Sequence, residues 1–272
     1  MVFADLHVHT TNSDGTLTLE TTTNSDGELK VKTVPDAARE AGVEVVAITD
    51  HDRIHPALSD PVTTVDGIEV IHGIELRVEH SEMRVDLLGY GVERTAELDA
   101  LVERLQTNRI ERAREIIRRV ESHTGVELDI TVEAGIGRPH IARAIEKSDH
   151  HYGYQDAFDH LIGNDGPCYV SRNIPSFEEG HRILVESCAI VGLAHPLRYP
   201  DPGRALSLAE HLDAVELHYP YSRSVDTTPV ERAIADHDLL VTGGSDAHEQ
   251  TLGKAGLDRD EFAAIRDHLP DQ

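Results

Sequence analysis

The chain has little of what a membrane-spanning or disulfide-stabilised protein needs. None of its apolar runs approaches the roughly 20 residues that cross a bilayer. Its two cysteines, Cys168 and Cys188, provide no disulfide framework and suit buried thiols in a reducing compartment. Residues 1–5 show no basic region followed by an apolar run, so we predict no secretory signal. These absences together favour a cytoplasmic protein.

Lysine is also scarce, and acidic residues outnumber basic ones. The only lysines are Lys30, Lys32, Lys147 and Lys254, and the formal net charge is −25. Such a surface repels a phosphodiester backbone, which excludes a nonspecific binder of duplex nucleic acid and leaves no signal for a membrane partner. It does not exclude a small phosphorylated substrate, because bound metal cations reverse the local field. The acid excess is typical of an acidic, halophilic-like surface, on which salt screens self-repulsion.

The 272 residues suit a single α/β domain, 1–272, with an insertion. Apolar runs predict strands at 2–8, 43–49, 68–74, 84–90, 189–193, 214–217 and 239–242. Helices are predicted at 34–41, 177–186, 205–211, 230–237 and 260–269. Repeated strand–helix units indicate a parallel sheet, either open or closed into a barrel.

Approximately residues 95–172 interrupt this alternation and are mostly helical. Leucine, isoleucine and valine recur at helical spacing through 97–123, and shorter helices are predicted at 139–146 and 155–162. We therefore expect a helical insertion subdomain within the α/β domain.

A short repeat lies near the N-terminus. Residues 11–15, Thr-Asn-Ser-Asp-Gly, recur at 23–27, and alternating apolar and polar residues follow both copies. This pattern predicts a β-hairpin across 16–33. Asp26 is then a turn residue, and Asp26→Ala is expected to leave activity largely intact.

Metal-binding side chains lie within or just after the predicted strands. Histidine and carboxylate are the ligands that divalent metals use where a site must also hold water and substrate. The motifs are Asp5-Leu6-His7-Val8-His9 followed by Asp14, Thr49-Asp50-His51-Asp52, Gly73-Ile74-Glu75, Ala194-His195-Pro196 and Gly244-Ser245-Asp246-Ala247-His248. Parallel α/β folds place functional groups at the carboxyl ends of their strands, so these side chains are expected to meet.

Each motif by itself has an ordinary structural explanation. His7 and His9 share one face of a strand, but such a pair also arises by chance. Asp14 stands in a turn sequence, and the aspartates beside His51 suit a helix N-cap. His218, at another predicted strand end, matches no motif but is expected to face the same rim. The argument for a site depends on so many ligands at strand ends in one chain.

In this order the motifs resemble those of the PHP (polymerase and histidinol phosphatase) superfamily of metal-dependent phosphoesterases. The resemblance is greatest to stand-alone members that hydrolyse nucleoside 3′,5′-bisphosphates and short RNA from the 5′ end. Those members also carry a helical insertion with a segment like residues 137–143, Gly-Arg-Pro-His-Ile-Ala-Arg, and a His-Pro-x-Arg-Tyr segment like residues 195–199.

The resemblance implies a distorted (β/α)7 barrel of the PHP type and two or three divalent metal ions. Mn²⁺ is favoured, and Fe²⁺, Zn²⁺ and Mg²⁺ also suit such ligands. The implied metal ligands are His7, His9, Asp14, His51, Glu75, Asp86, His195, Asp246 and His248. Position 86 is usually histidine in the family, so Asp86 departs from the pattern and adds negative charge.

The resemblance also implies hydrolysis of a small phosphate monoester by metal-activated hydroxide, with a nucleotide as the expected substrate. Residues implied in catalysis are His7, His9, Glu75, Asp246 and His140. Arg138, His140 and Arg198 are implied in phosphate binding, because guanidinium forks match phosphate oxygens. His140 could instead protonate the leaving group. For Arg109 and Arg112, a solvated helix face is the favoured interpretation.

Other functions remain open from the sequence. Within the superfamily, the alternative is a histidinol-phosphate phosphatase. A metal-dependent amidase or deaminase of related architecture usually needs a lysine between its metals, and no lysine follows a predicted strand here. A non-enzymatic metal-binding or regulatory module would not require the nearly complete ligand set, including Glu75 as the expected bridge.

Overall fold

The structure is a computed structural model, and it describes residues 1–19 and 33–271. The chain divides into two compact units, Met1–Ala100 with Pro175–Gln272, and Leu101–Ile174. The sequence bounds of the second unit differ by only a few residues from those of the insertion predicted at 95–172. Asp26 and most of the predicted 16–33 hairpin lie outside the described residues.

The first unit contains all the strands of the described chain. These are β1 (Ala4–Val8), β2 (Val45–Ile48), β3 (Val62–Val65), β4 (Ile68–His80), β5 (Met83–Tyr90), β6 (Ile190–Leu193), β7 (Ala214–His218) and β8 (Leu240–Gly243). Its helices are α1 (Val34–Ala41), α5 (Phe177–Ser187), α6 (Pro202–Leu206), α7 (Thr228–His237) and α8 (Arg259–Arg266), with single 3₁₀ turns at Pro196–Arg198 and Ala209–His211. The helix α2 (Ala96–Thr124) begins in this unit.

Seven strands form one curled sheet in the order β1-β2-β4-β5-β6-β7-β8, and β3 pairs with β4. This mixed α/β sheet confirms the predicted distorted seven-stranded barrel. β5 runs antiparallel to both β4 and β6, whereas the other pairs along the path are parallel. The alternation of strands and helices in the sequence therefore predicted the strands but not the antiparallel direction of β5. A tight turn at Ser81 and Glu82, both with positive φ, joins β4 directly to β5.

Apolar side chains cover the sheet on both faces. Val45 and Ala47 of β2 belong to one buried cluster, while Val46 and Ile48 belong to another. Because successive side chains of a strand point to opposite faces, the two clusters lie on opposite sides of the sheet. Strands buried on both faces read as continuous apolar runs, which is why the sequence indicated them clearly.

The chain after β8 closes the sheet against the end of β1. The His9 N–H donates to the Ala247 carbonyl at 3.0 Å, and the Ala247 N–H donates to the His7 carbonyl at 3.3 Å. Gly244 permits this approach, since a side-chain carbon there would collide with the His7 backbone. The closure brings the last motif of the chain beside the first.

The second unit is helical. It contains the rest of α2, α3 (Arg138–Lys147), α4 (Tyr154–Ala157) and a π-helical turn at Phe158–Ile162. Its core consists of Ala113, Ile116, Val120, Ile136, Ile141, Ala142, Ile145, Ala157, Leu161, Ile162 and Cys168. Among the described helices of the chain, none is both long enough and apolar enough to cross a bilayer.

Acid is expected to destabilise the fold through His72 of β4. Its side chain is buried, neither ring nitrogen has a hydrogen-bond partner among the described residues, and burial lowers its pKa from 6.5 to about 4. Its stabilising contribution is therefore complete above pH 6.5 and is lost as the pH falls towards 4, because the unfolded chain binds the proton first. Between pH 7 and pH 5, we expect the free energy of unfolding of His72→Leu to fall by about 2 kcal/mol less than that of wild type.

Urea unfolding of both proteins at the two pH values measures this difference. His237→Leu is the matched control, since His237 is exposed at the end of α7. Equal acid losses in wild type and His72→Leu would show that His72 is not an acid-sensitive group.

Candidate metal centre

The sheet brings eight of the nine predicted metal ligands together. They belong to three overlapping groups, in each of which one donor atom per residue lies within 4.8 Å of the others. The groups are His9 with Asp14, His51 and His248; His7 with His9 and Asp246; and His7 with Glu75 and His195. His7 and His9 each belong to two groups, so the three are parts of one cluster.

Glu75 lies between several of the histidines. Its Oε2 lies 2.5 Å from His51 Nδ1 and 3.4 Å from His9 Nε2, and its Oε1 lies 3.0 Å from His195 Nε2. The two oxygens of one carboxylate thus face ligands from different strands, which is the arrangement a bridging ligand requires. β4 continues past Glu75 to His80, so its position is held on both sides by paired strand.

Asp246 and Asp14 face the remaining histidines. Asp246 Oδ1 lies 3.2 Å from His9 Nε2 and 3.4 Å from His248 Nδ1. Asp14 Oδ1 lies 3.3 Å from His248 Nε2 and 3.9 Å from His51 Nε2. The two carboxylates therefore approach His248 through different ring nitrogens.

Several buried donor atoms in the cluster have no hydrogen-bond partner among the described residues. They are His7 Nε2, both ring nitrogens of His9, Asp14 Oδ1 and His195 Nδ1. Buried polar atoms are normally satisfied, and leaving so many without a partner is costly. Divalent cations would satisfy these nitrogens and the carboxylate oxygen at once, so the donor set fits a metal centre.

The protonation tendencies of His9, Asp246 and Glu75 agree with this interpretation, whereas neighbouring carboxylates outweigh burial and raise the pKa of His7 and His248. Burial, reinforced by His248 and His51, lowers the pKa of His9 to about 4, so its ring is neutral at pH 7. Burial alone would raise the pKa of Asp246, but His7 and His9 hold it well below its usual value. Glu75 behaves in the same way, because His51 and His7 outweigh its burial. Neutral imidazole and ionised carboxylate are the forms that bind metals.

Two aspartates of the motifs anchor loops instead of joining the cluster. Asp5 accepts hydrogen bonds from the Ser245 N–H at 2.8 Å and hydroxyl at 2.6 Å, and from the Gly253 N–H at 2.8 Å. It thereby holds the loop that carries Asp246 and His248. These contacts explain why a carboxylate is buried within an apolar strand.

Asp50 holds the loop that carries Asp14. It accepts from the Thr10 N–H and hydroxyl, both at 2.7 Å, and from the Ser13 hydroxyl at 2.7 Å. Asp50, which directly precedes His51, therefore positions Asp14, a predicted ligand that follows the first motif.

Glu216 of β7 orients two histidines from outside the cluster. It is fully buried, its Oε1 lies 3.0 Å from His7 Nδ1, and its Oε2 accepts from the His195 N–H at 2.7 Å. A carboxylate at Nδ1 places the proton there and leaves Nε2 of His7 free to bind a metal. Sequence analysis did not single out Glu216, although a carboxylate within an apolar strand end was an available signal.

Asp86 is engaged differently from the other predicted ligands. Arg77 Nε and an Arg77 terminal nitrogen donate to its two oxygens at 2.7 and 2.6 Å, and the Tyr199 hydroxyl accepts from its N–H at 2.8 Å. Its Oδ2 lies 3.8 Å from His195 Nε2, and it joins none of the three groups. The pairing of Arg77 with Asp86 could not be predicted from the sequence, because it depends on the register between β4 and β5. His218 also lies outside the groups, paired with Glu261 at 2.8 Å.

The predicted phosphate-binding residues fall in different units. In the first unit, Arg198 donates to Asp246 Oδ2 at 2.8 Å, and the Tyr219 hydroxyl donates to the same oxygen at 2.7 Å. In the second unit, Arg138 donates to the Ile162 carbonyl, and His140 Nδ1 accepts from the N–H of Gly137.

Comparison with known proteins extends over nearly the whole chain. The chain is 27% identical to phosphoribosyl 1,2-cyclic phosphate 1,2-diphosphodiesterase of Eggerthella lenta, covering 90% of this chain and 93% of that protein. It is 27% identical to 3′,5′-nucleoside bisphosphate phosphatase of Chromobacterium violaceum, covering 95% and 90%. It is 26% identical to the 5′-3′ exoribonuclease Rnm of Escherichia coli, covering 91% and 86%. No family model matches the chain.

Two solved structures share the fold. One, from Bifidobacterium adolescentis and described as a metal-dependent phosphoesterase, aligns with a TM-score of 0.78 at 23% identity and covers 99% of this chain and 97% of its own. The other, described as an amidohydrolase from Chromobacterium violaceum with bound sulfate and no metal, has a TM-score of 0.74 at 22% identity and covers 97% and 96%. The ordered motifs and these relatives support the resemblance to the PHP superfamily of metal-dependent phosphoesterases, and the two solved structures show that the fold is shared.

Proposed function

We propose that this protein is a metal-dependent phosphoesterase that hydrolyses a small phosphate monoester, with a nucleotide as its substrate. The observation that supports this proposal most strongly is the cluster of eight histidines and carboxylates with its buried, unsatisfied donor atoms. Three curated relatives named for cyclic phosphate, bisphosphate and RNA hydrolysis point to the same chemistry. We also propose the cytoplasmic location that was expected from the sequence.

The cluster residues would hold two or three divalent cations, with Mn²⁺ favoured. His7, His9, Glu75 and Asp246 would hold one cation, and Glu75 with His195 would hold a second. Asp14, His51 and His248 would hold a third. When bound, such cations lower the pKa of water and stabilise the charge that develops on phosphate oxygens.

Three basic side chains are proposed to contact the phosphate. Arg198 already lies against Asp246 and presents a guanidinium beside the metal ligands. Arg138 and His140 of the second unit are proposed, by resemblance, to bind a phosphate group or to protonate the leaving group. Arg112 of the same unit is half-buried and donates to the Val170 carbonyl at 2.7 Å, and burial with nearby Arg138 and Arg172 lowers its pKa.

A substrate panel tests the proposal. The purified protein is incubated with Mn²⁺ and with adenosine 3′,5′-bisphosphate, AMP, a short 5′-phosphorylated RNA and histidinol phosphate, and phosphate release is measured. Metal-dependent release from the nucleotides above that from histidinol phosphate is expected. Release from no phosphoester, with tight Mn²⁺ binding retained, would contradict the proposed activity and favour a metal-binding module.

The role of Asp86 can be tested through Arg77. Arg77→Gln removes the charged fork that holds both Asp86 oxygens, so Asp86 becomes available to a metal that also contacts His195. We expect the variant to retain more metal per chain than wild type after equilibrium dialysis against Mn²⁺, as measured by elemental analysis. If the double variant Arg77→Gln/Asp86→Asn shows no such increase, the additional metal is bound through Asp86.

Arg84→Gln is the matched control, because Arg84 pairs with the exposed Glu79 on the same two strands. Its metal content should equal that of wild type. Unchanged metal content in Arg77→Gln would show that the Arg77 pair does not withhold Asp86 from the centre.

A further inference from the structure

A pocket of about 310 Å³ lies beside the proposed metal centre, within the first unit. Its volume is at the lower end of the range of small-molecule sites. It is lined by Leu197, Arg198, Tyr219, Pro220, Tyr221, Ser222 and Arg223. Only Arg198 of this set has a role in the proposed hydrolysis.

Two lining residues connect the pocket to the centre. The Tyr219 hydroxyl and Arg198 both donate to Asp246 Oδ2, at 2.7 and 2.8 Å. If the phosphate of a substrate lies at the proposed metal centre, the rest of the substrate can therefore reach this pocket. The pocket therefore adjoins the proposed position of the reacting phosphate and is not a remote surface cavity.

The lining has an unusual composition for this chain. It contains two arginines and no carboxylate, although the chain carries 50 acidic residues against 25 basic ones. The Tyr219 and Tyr221 rings lie 4.7 Å apart between centroids at an angle of 56°, and the Arg198 guanidinium lies 5.6 Å from the Tyr219 ring centroid. Planar aromatic and guanidinium groups are the groups on which nucleobases stack.

Tyr221 is held in place before any ligand binds. Its hydroxyl accepts from the Leu197 N–H at 3.1 Å, and its own N–H donates to the Tyr219 carbonyl at 2.8 Å. These contacts tie the loop after β7 to the 3₁₀ turn that carries Arg198. A fixed ring loses little conformational freedom on stacking, which favours binding of a planar ligand.

We infer that this pocket, the base pocket, binds the nucleobase of a nucleotide whose phosphate lies at the metal centre. A bare phosphate would need the arginines but not the tyrosines, and a sugar alone would gain little from two aromatic rings. The inference deepens the proposed phosphoesterase function and rests on it for the position of the phosphate. It makes Tyr221 a residue that determines specificity for substrates that carry a base.

The test compares ligands that differ only in the base. Isothermal titration calorimetry on the Mn²⁺-loaded protein measures binding of adenosine and ribose, neither of which carries a phosphoester. Steady-state phosphate release measures KM for AMP and for ribose 5-phosphate. Wild type should bind adenosine but not ribose. Tyr221→Leu should weaken adenosine binding and raise the KM for AMP roughly 10- to 100-fold, while its KM for ribose 5-phosphate should match that of Tyr221→Phe, which also lacks the hydroxyl.

Tyr221→Phe is the matched variant, because it keeps the ring and removes only the hydroxyl that accepts from Leu197. It should retain adenosine binding within a few fold. Equal losses for AMP and ribose 5-phosphate in Tyr221→Leu, or no adenosine binding to wild type, would overturn the base pocket. Adenosine binding that depends on the Tyr221 ring, with no phosphoester hydrolysed, would support the pocket and contradict the proposed activity.

Discussion

Asp246→Asn is expected to reduce metal-dependent phosphate release at least about 100-fold, since even residues that only orient metal ligands cost 10- to 100-fold when removed. Asp246 Oδ1 faces His9 and His248, and its Oδ2 accepts from Arg198 and Tyr219. Asparagine preserves the shape but removes the negative charge and offers an N–H₂ group to a cation or to two donors. The residual activity and the Mn²⁺ content are measured on the same purified sample.

Asp238→Asn serves as the control for this substitution. Asp246 and Asp238 both adopt positive φ, 49° and 53°, and asparagine tolerates that conformation as well as aspartate does. Asp238 lies at the exposed end of α7, so the control repeats the chemical change without touching the cluster. Turnover of Asp246→Asn close to that of wild type would refute the assignment of Asp246 as a ligand.

Glu216→Gln is expected to weaken Mn²⁺ affinity about 10- to 100-fold, although Glu216 lies outside the three donor groups. Its two oxygens contact His7 Nδ1 and the His195 N–H. An amide has only one oxygen. If that oxygen faces His7 Nδ1, the amide N–H₂ group faces the backbone N–H of His195, and two donors oppose each other. The other orientation donates to His7 Nδ1, which moves the ring proton to Nε2 and blocks metal binding there.

A competition titration with a metal chelator measures this affinity, and circular dichroism verifies that the variant is folded. Glu261→Gln is the matched control, because Glu261 makes the same kind of contact with the more exposed His218 of β7. An affinity in Glu216→Gln equal to that of the control would show that Glu216 does not orient the His7 ring.

The sequence predicted the strands because each one is a short apolar run covered on both faces. The strands from β1 to β8 that carry motifs were recognised in this way, as was the helical character of residues 97–123. It did not predict β3, the length of β4 or the antiparallel β5. These features depend on pairing between distant segments and on the tight turn at Ser81 and Glu82, which local pattern does not determine.

The candidate site shows the same division. His7, His9, Glu75 and Asp246 stood out because metal-binding residue types followed apolar strands, and the structure brings them together. The sequence could not show that Asp86 faces Arg77. That pairing depends on the β4–β5 register, in which Arg77 lies opposite Asp86.

The amino-acid sequence by itself determined which residue types follow each strand, and therefore that divalent-metal chemistry was available to this chain. Tertiary structure alone decided which carboxylates face the cluster and which hold its loops, as Asp246 and Asp5 illustrate. The physical reason is that the role of a buried carboxylate depends on the donors within about 3 Å of it, and strand pairing and barrel closure bring those donors from far along the chain.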